Sequence, residues 1–511
     1  MNYLFIFFII VCGLSIIITI LSISFTKNAI ETVNDMGIGW NLGNSFDCFL
    51  ENGEIKRPED LITLRGNKLP TQKLFSNIKK NGFKTIRLPV TWINFMDASG
   101  NVKKEWMSKV KEVVKWIIKS KMYCILNLHH DGAERQWLSE GMKAKKKFDN
   151  LWKQIANEFK DFNEYLIFEG MNDALGDNFD YMVLLSFTQS FVDIVRNSGG
   201  KNSNRLLIIP GLNQDFLATC NSEYKFPIDP FKKYAISIHY YIPSTYTKER
   251  DDDPWTYDGD DGVTYIVNPK TKWGGELDYK DLFNYFEFMK VYFLDKGIPI
   301  IITETGVITE QKKEPSSIRE YLFAVFSLSS DYSGVMSCLW DCSNKKFGDY
   351  NYYDRENNKW YDEQIGENFK KIAKGNYIKM SNFISKQSYD IITTIDSNGY
   401  LSIRIGIKKD IIRIIFNAEI NTTGLYGVGF GVATNNKEGK WSSIRVPGST
   451  GKKNYDGTYS YFIDAINQDF NDNIQVQVWW GHEYVKLNYL RIEFNENYNF
   501  FDYNEYIKNI N

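Results

Sequence analysis

Leu166-Ile-Phe-Glu-Gly-Met-Asn-Asp-Ala174 and Ile300-Ile-Ile-Thr-Glu-Thr-Gly306 are the two stretches on which the reading of this chain turns. Each is a short apolar run that leads into an acid, Asp173 in the first and Glu304 in the second. Continuous apolar runs of this length suit strands buried on both faces. Parallel strands of that kind, alternating with helices, make α/β folds whose chemistry lies at the strands' C-terminal ends. Working outward, comparable runs span Gly37 to Leu42, Thr85 to Val90, Tyr123 to Leu128, Leu206 to Ile209, Ala235 to His239 and Gly334 to Leu339. With Tyr165 to Glu169 and Ile300 to Thr303 they number eight. Between them lie amphipathic stretches such as Glu105 to Ser120, where Trp106, Val110, Val113, Val114 and Ile117 recur at helical spacing. Others run near Thr71 to Asn81, Phe148 to Phe159, Tyr181 to Asn197, Tyr279 to Lys296 and Ser316 to Leu328. The alternation predicts a (β/α)8 TIM barrel. The competing arrangement, an open doubly wound sheet, normally carries a glycine-rich phosphate loop after its first strand. Gly39-Trp-Asn-Leu-Gly43 is not such a loop.

Near Gly375 the pattern changes. Leu401, Ile403, Ile405 and Ile407 alternate with Ser402, Arg404 and Gly406, and Leu490, Ile492 and Phe494 alternate with Arg491 and Glu493. Period-two alternation broken by Gly, Asn and Asp clusters predicts a C-terminal antiparallel β-sandwich. The expected division is a leader over 1–24, a barrel over 25–376, a linker over 377–388, a sandwich over 389–498 and a tail over 499–511. The linker is short and lacks Gly/Ser repeats, so the two units are expected to touch.

The chain has 511 residues and a formal net charge of −2, against the concentrated basic surface that nucleic-acid binding calls for. The run Lys143 to Lys147 reads as a solvated helix face. Aromatic residues make up 16% of the chain, which suits stacking on sugar rings as well as core packing. Leu4 to Phe25 is apolar and uncharged, with Ser22-Ile-Ser24 as a small-residue cleavage pattern, and reads as a secretory signal. An uncleaved membrane anchor is the alternative, since roughly 20 apolar residues span a bilayer. Both place the folded part outside the cytosol, and a secreted monomer is the expectation. Asn421-Thr-Thr423 is an N-glycosylation triplet. No Cys-x-x-Cys pair or His-rich cluster has metal-ligand spacing, so no metal or cofactor is expected. Cys48 follows the first strand and Cys342 the eighth, neighbours in a closed barrel, which makes Cys48–Cys342 the disulfide to look for.

Polar residues gather at the strand ends. Arg87 lies on the second strand, His129 and His130 end the third, and Asn172-Asp173 follows the fourth. His239 ends the sixth, with Tyr241 two residues on and so on the same face. Glu304 follows the seventh and Trp340 the eighth. Singly, each has a plain structural reading: Arg87 as a buried ion-pair partner, the histidines and Trp340 as core groups. Glu169, which shares strand parity with Asp173, reads as a structural hydrogen-bonding carboxylate. Convergence from six strand ends points to chemistry. Two carboxylates there suit a retaining glycosidase, which needs a nucleophile and an acid/base. Glu304 would be the nucleophile, held ionised by Arg87 and Tyr241. Asp173 would be the acid/base, and Asn172 would meet the sugar's 2-hydroxyl. The three histidines would shape the subsite over a Trp340 floor.

The residues resemble glycoside hydrolase family five, the large cellulase family. The matching stretches are Ile38-Gly-Trp-Asn-Leu-Gly-Asn44, Gly82-Phe-Lys-Thr-Ile-Arg-Leu-Pro-Val-Thr-Trp92, Ile125-Leu-Asn-Leu-His-His-Asp131, Leu166 to Asn172, Ser237-Ile-His-Tyr-Tyr241, Gly297 to Glu304 and Cys338-Leu-Trp-Asp341. The resemblance implies an extracellular endo-β-glucanase acting on cellulose or another β-1,4-linked polysaccharide, and adds Asn41 to the substrate-binding candidates. Two departures stand out. Asn172-Asp173-Ala174 replaces the family's Asn-Glu-Pro, shortening the acid by one C–C bond, roughly 1.5 Å. Arg65-Gly66-Asn67 replaces a Trp-Gly-Asn. A non-catalytic polysaccharide-binding protein with a degenerate cleft is the runner-up reading. Trp441, Tyr459, Tyr461, Trp479 and Trp480 are candidates for a stacking platform on the sandwich.

Overall fold

The computed structural model describes residues 27–379 apart from 52–53, 98, 132–140, 175–180, 221–223, 249–254, 259–263, 268–269, 310–312 and 344–349, and beyond them the strands lying between 390 and 502. Its centre is a closed barrel of eight parallel strands. They are β1 (Gly39–Asn41), β2 (Thr85–Leu88), β3 (Tyr123–Asn127), β4 (Leu166–Glu169), β5 (Leu207–Pro210), β6 (Tyr234–Tyr240), β7 (Ile300–Thr305) and β8 (Val335–Leu339). Each pairs with its successor, and β8 closes on β1 through Gly39–Cys338 and Trp40–Leu339. The eight expected strands are present in the expected order. The nearly unbroken burial of their residues explains why they read as apolar runs rather than as alternations.

Eight of the helices matter for the site: α1 (Ala29–Met36), α2 (Gln72–Lys80), α3 (Lys104–Lys119), α4 (Lys145–Phe159), α5 (Tyr181–Asn197), α6 (Glu276–Tyr292), α7 (Pro315–Asp331) and α8 (Glu363–Ala373). α2 opens where the Thr71 side chain accepts the Leu74 N–H. α3 buries Trp106, Val110, Val113, Val114 and Ile117, the stripe its periodicity predicts. Of the lysine run, Lys143 and Lys146 are exposed, whereas Lys147 bends back to donate to the carbonyl of Asp131 at 2.9 Å.

Two of these eight helices have no counterpart in the sequence reading. α8 follows the last strand. α1 begins at a capping box between Asn28 and Glu31 and plugs the bottom of the barrel. Its Ala29, Val33 and Met36 pack with Ile125, Ile167, Ile208, Ile301 and Met336. At that end Thr85 donates to the carbonyl of Met36, and Tyr123 to Asp35 at 2.6 Å. The lumen is therefore apolar at the base. Above it Asn41, Arg87, Asn127, Glu169, Ser237 and Thr303 make a fully buried polar layer.

Beyond the barrel the strands form two five-stranded sheets, with antiparallel pairing throughout. Phe500–Asp502, expected to lie in a tail, is a strand paired with Val485–Phe494. Among the described residues, Arg491 joins this region to the barrel wall. Arg491, fully buried, donates to Asn284 on α6 at 2.7 Å and lies 3.6 Å from Glu287. Asn284 and Glu287 are buried polar residues on α6, and Arg491 meets both. The leader, the glycosylation triplet, residues 380–389 and residues 503–511 lie outside the described residues. So do the side chains of Trp441, Tyr459, Tyr461, Trp479 and Trp480. Among the described residues, no helix is long and apolar enough to cross a membrane.

Packing at the seam leaves no room at Gly39. A Cβ there would sit 2.3 Å from the Cys338 Sγ and 3.0 Å from the Met336 Cε. Gly39→Ala is expected to lower stability by about 1–3 kcal/mol through overpacking. Cys338→Ala in the same chain should recover part of the loss, measured as the urea midpoint.

Candidate active site

Arg87 organises the polar layer. Its guanidinium, fully buried, donates to Glu169 at 2.7 and 3.1 Å, to Glu304 Oε1 at 2.8 Å, to Asn41 Oδ1 at 3.0 Å and to Asn172 Oδ1 at 2.7 Å. Burial alone would lower its pKa, but the two carboxylates outweigh that and hold it above its ordinary range. Asn41 in turn donates to the carbonyls of Thr303 and Leu339 at 2.9 and 3.1 Å, tying β1 to β7 and β8.

Glu304 reaches this layer because β7 is irregular. Ile302 pairs with Ile238, but Glu304 pairs with His239, so the register slips by one residue around Thr303. Strict alternation would put Thr303 and Glu304 on opposite faces. With the bulge both point inward: Thr303 Oγ1 lies 2.8 Å from Ser237 Oγ, and Glu304 meets Arg87. The Tyr241 hydroxyl donates to the other Glu304 oxygen at 3.2 Å. Arg87 and Tyr241 favour the ionised form. Burial opposes them, the Glu169 charge adds to it, and the net result is a Glu304 carboxyl above its usual range.

Asp173 faces Glu304 across a single imidazole. His239 Nδ1 lies 3.5 Å from Asp173 Oδ1, and Nε2 lies 3.6 Å from Glu304 Oε1, both outside direct hydrogen-bond range. Burial pushes the His239 pKa down to about 4, so the ring is neutral at ordinary pH. Asp173 is raised, first by desolvation and further by the Glu304 charge, while His239, Arg87 and Lys248 pull it down. Of these, Lys248 is the exposed one. Its ammonium stands 4.8 Å from the centre of the Tyr241 ring.

The backbone at Asp173 is left-handed, with φ 39°, as it is at Asn213 and Gln214 after β5, with φ 53° and 46°. Such a conformation costs an ordinary L residue about 1–2 kcal/mol, and Asn and Asp tolerate it best. The two loops clasp each other. The Asp173 N–H donates to Gln214 Oε1 at 2.6 Å, and the Asn213 N–H donates to the Ala174 carbonyl at 2.9 Å. Gln214 Nε2, fully buried, donates to Ser237 Oγ at 2.6 Å and to Glu169 at 3.2 Å.

One wall of the cleft is aromatic. Trp340 and His129 lie nearly parallel, with centroids 5.9 Å apart and planes at 7°, and His130 meets His129 edge-on at 4.3 Å. Burial holds His129 well below the usual imidazole range. At the rim Asn67 donates to the carbonyls of Asn44 and Cys342 at 2.8 and 3.0 Å. This pins the loop that exposes Arg65 beside the ends of β1 and β8. The Cys48–Cys342 disulfide does not form. Both are buried free thiols, as are Cys124, Cys220 and Cys338. Burial raises both thiols, and Cys342 adds to the rise at Cys48.

The structure thus brings Asn41, Arg87, Asn172, Asp173, His239, Tyr241 and Glu304 into one network, with His129, His130 and Trp340 beside it. Sequence reasoning missed Asn127, Ser237 and Gln214. Asn127 donates to Glu169 at 3.2 Å, and its position two residues before His129 on β3 was a usable signal. Gln214 lies in a loop, where no periodicity points.

Residues 53–346 match the cellulase family, glycosyl hydrolase family 5. Endoglucanase A of Paenibacillus barcinonensis is 32% identical over 343 residues, covering 61% of this chain and 82% of its own. Endoglucanase A of Clostridium longisporum is 28% identical over 383 residues and covers 70% of each. Among solved structures, a GH5-4 broad specificity endoglucanase from an uncultured bovine rumen ciliate is 55% identical with a TM-score of 0.66, covering 69% of this chain and 99% of that one. A lichenase of Caldicellulosiruptor sp. F32, solved as a mutant with cellotetraose, is 27% identical with a TM-score of 0.60 over 68% of this chain and 96% of that one. The matched span takes in β2 to β8 and both carboxylates of the cleft, and the chain belongs to glycosyl hydrolase family 5, as an endo-β-1,4-glucanase-like glycoside hydrolase.

Proposed function

We propose that the chain is a retaining endo-β-1,4-glucanase with Glu304 as nucleophile and Asp173 as acid/base. The observation that carries this is the unequal footing of two carboxyls around one imidazole. Glu304 is anchored from behind by Arg87 and Tyr241, with 10% of its side chain exposed, while Asp173 stands at the mouth with 36% exposed. In the first step a Glu304 oxygen bonds to the anomeric carbon as the glycosidic C–O bond breaks, and the Asp173 proton goes to the leaving oxygen. In the second, Asp173 takes a proton from water, whose oxygen displaces Glu304. Burial raises the Asp173 carboxyl, the direction a general acid needs.

Neutral His239 suits this charge pattern: with its proton on Nε2 toward Glu304, the bare Nδ1 faces protonated Asp173. Asn172 has its oxygen committed to Arg87, which leaves the amide N–H groups for the sugar's 2-hydroxyl. Trp340, with His129 and His130 beside it, supplies the stacking floor. The substrate class is cellulose or a related cell-wall β-glucan. The two antiparallel sheets beyond residue 389 support a β-sandwich carbohydrate-binding module, and the apolar run from Leu4 to Phe25 supports secretion through a cleaved leader.

Glu304→Gln is expected to reduce reducing-sugar release from carboxymethylcellulose by three or more orders of magnitude, and Asp173→Ala by about 10²–10⁴. The shortened acid favours one competing reading, a cleft that binds polysaccharide without cutting it. Equal rates in wild type and Glu304→Gln would establish that reading instead.

The alkaline limb of the pH–rate profile should report loss of the Asp173 proton. The charge of Lys248 favours the Asp173 anion. Removing it in Lys248→Met should raise the Asp173 pKa and move that limb to higher pH. An exposed charge is screened by salt, so the shift should shrink as salt is added.

A further inference from the structure

Asp173 is one methylene shorter than the family's glutamate, yet its surroundings are more tightly built than an exposed acid requires. Its N–H is held by a side chain from another strand's loop, at 2.6 Å. That side chain, Gln214, is fully buried and itself left-handed, although glutamine has no local hydrogen bond to favour that conformation. Its amide nitrogen continues to Ser237 and to Glu169, the carboxylate that grips Arg87, which grips Glu304. One side chain therefore links the backbone carrying one acid to the ion pair carrying the other. The reciprocal bond from the Asn213 N–H to the Ala174 carbonyl, at 2.9 Å, closes the clasp on the far side of Asp173.

We propose that Gln214 is a positioning residue that offsets the short reach of Asp173, by holding its backbone left-handed in a frame shared with Glu304. The inference rests on the reading of Asp173 as the acid/base. The size of the effect is adequate. Turning φ from a helical value near −63° to 39° is a rotation of about 100° about N–Cα, which swings Cβ by about 2 Å. The bond that aspartate lacks is roughly 1.5 Å. Asp173 and Asn213 belong to the residue types that enter this region most readily, so the clasp has to select the conformation rather than force it.

The test uses two substrates. Cellohexaose has a poor leaving group and needs a placed acid to break its first bond. 2,4-Dinitrophenyl β-cellobioside has a good one and does not. Gln214→Met keeps the volume and removes all three polar contacts, to the Asp173 N–H, Ser237 and Glu169. It is expected to lose about a hundredfold in kcat/KM on cellohexaose, the cost of a misplacement near 1 Å. On the dinitrophenyl glycoside kcat/KM should stay within about threefold of wild type, and added azide should restore kcat by taking the place of base-activated water. Asn213→Val, whose branched side chain resists the left-handed region, should give the same split without touching Gln214, while Asn213→Gly should leave both rates unchanged. Equal losses on the two substrates in Gln214→Met and Asn213→Val, or no loss on either, overturn the proposal. Asp173→Ala run alongside separates the two readings. If it shows no split, the acid/base assignment itself fails, whatever Gln214 does.

Discussion

One guanidinium holds the cleft together. Arg87 is fully buried, and a buried charge is tolerated only when it is paired and its hydrogen bonds are made. It makes them to four groups from three strand ends: Asn41 on β1, Glu169 and Asn172 at the end of β4, and Glu304 on β7. The desolvation cost of the cation is what forces those groups to converge. The balance is deliberately incomplete, since one cation serves two carboxylates. The second carboxylate, Glu304, is left with burial and Glu169 pressing it upward and only Tyr241 to help Arg87 press it down. A nucleophile needs that state: ionisable, fixed, and not so strongly stabilised that it ceases to react.

The rest of the barrel can be understood as support for this layer. α1 plugs the base beneath it. Below that layer the lumen is apolar, packed closely enough that Gly39 has no space for a methyl group. The clasp between the β4 and β5 loops then carries the frame of Arg87 outward to Asp173. The contact of Arg491 with α6 ties the C-terminal strands to the barrel wall.

Much of this was legible in the sequence, because the physics behind it is local. Doubly buried strands must be apolar throughout, and so Ile300 to Thr303 or Leu206 to Ile209 announce themselves. Arg87, His129 and Glu304 stand out as polar groups at the ends of runs that otherwise tolerate none. What was not legible depends on partners far away in the chain. The apolar residues of α1 gain their meaning only from the open barrel base that receives them. Cys48 and Cys342 are neighbours, as strand order implies, but adjacency does not dictate bonding, and they remain thiols. Gln214 sits in a loop, and its importance comes entirely from what it touches.

The barrel, the order of its strands and the polar residues at their ends follow from residue type and spacing along the chain. Burial on two faces and position along a strand are written in residue type and spacing. How those residues face one another is set by contacts between strands. Glu304 points inward beside Thr303 because β7 slips by one residue against β6, and a slip in register is a property of two strands, not of one. Asp173 stands where it does because a side chain 41 positions away holds its backbone in a left-handed turn. Spacing along the chain names the two carboxyls; only contacts across it set the distance and protonation that make them a pair.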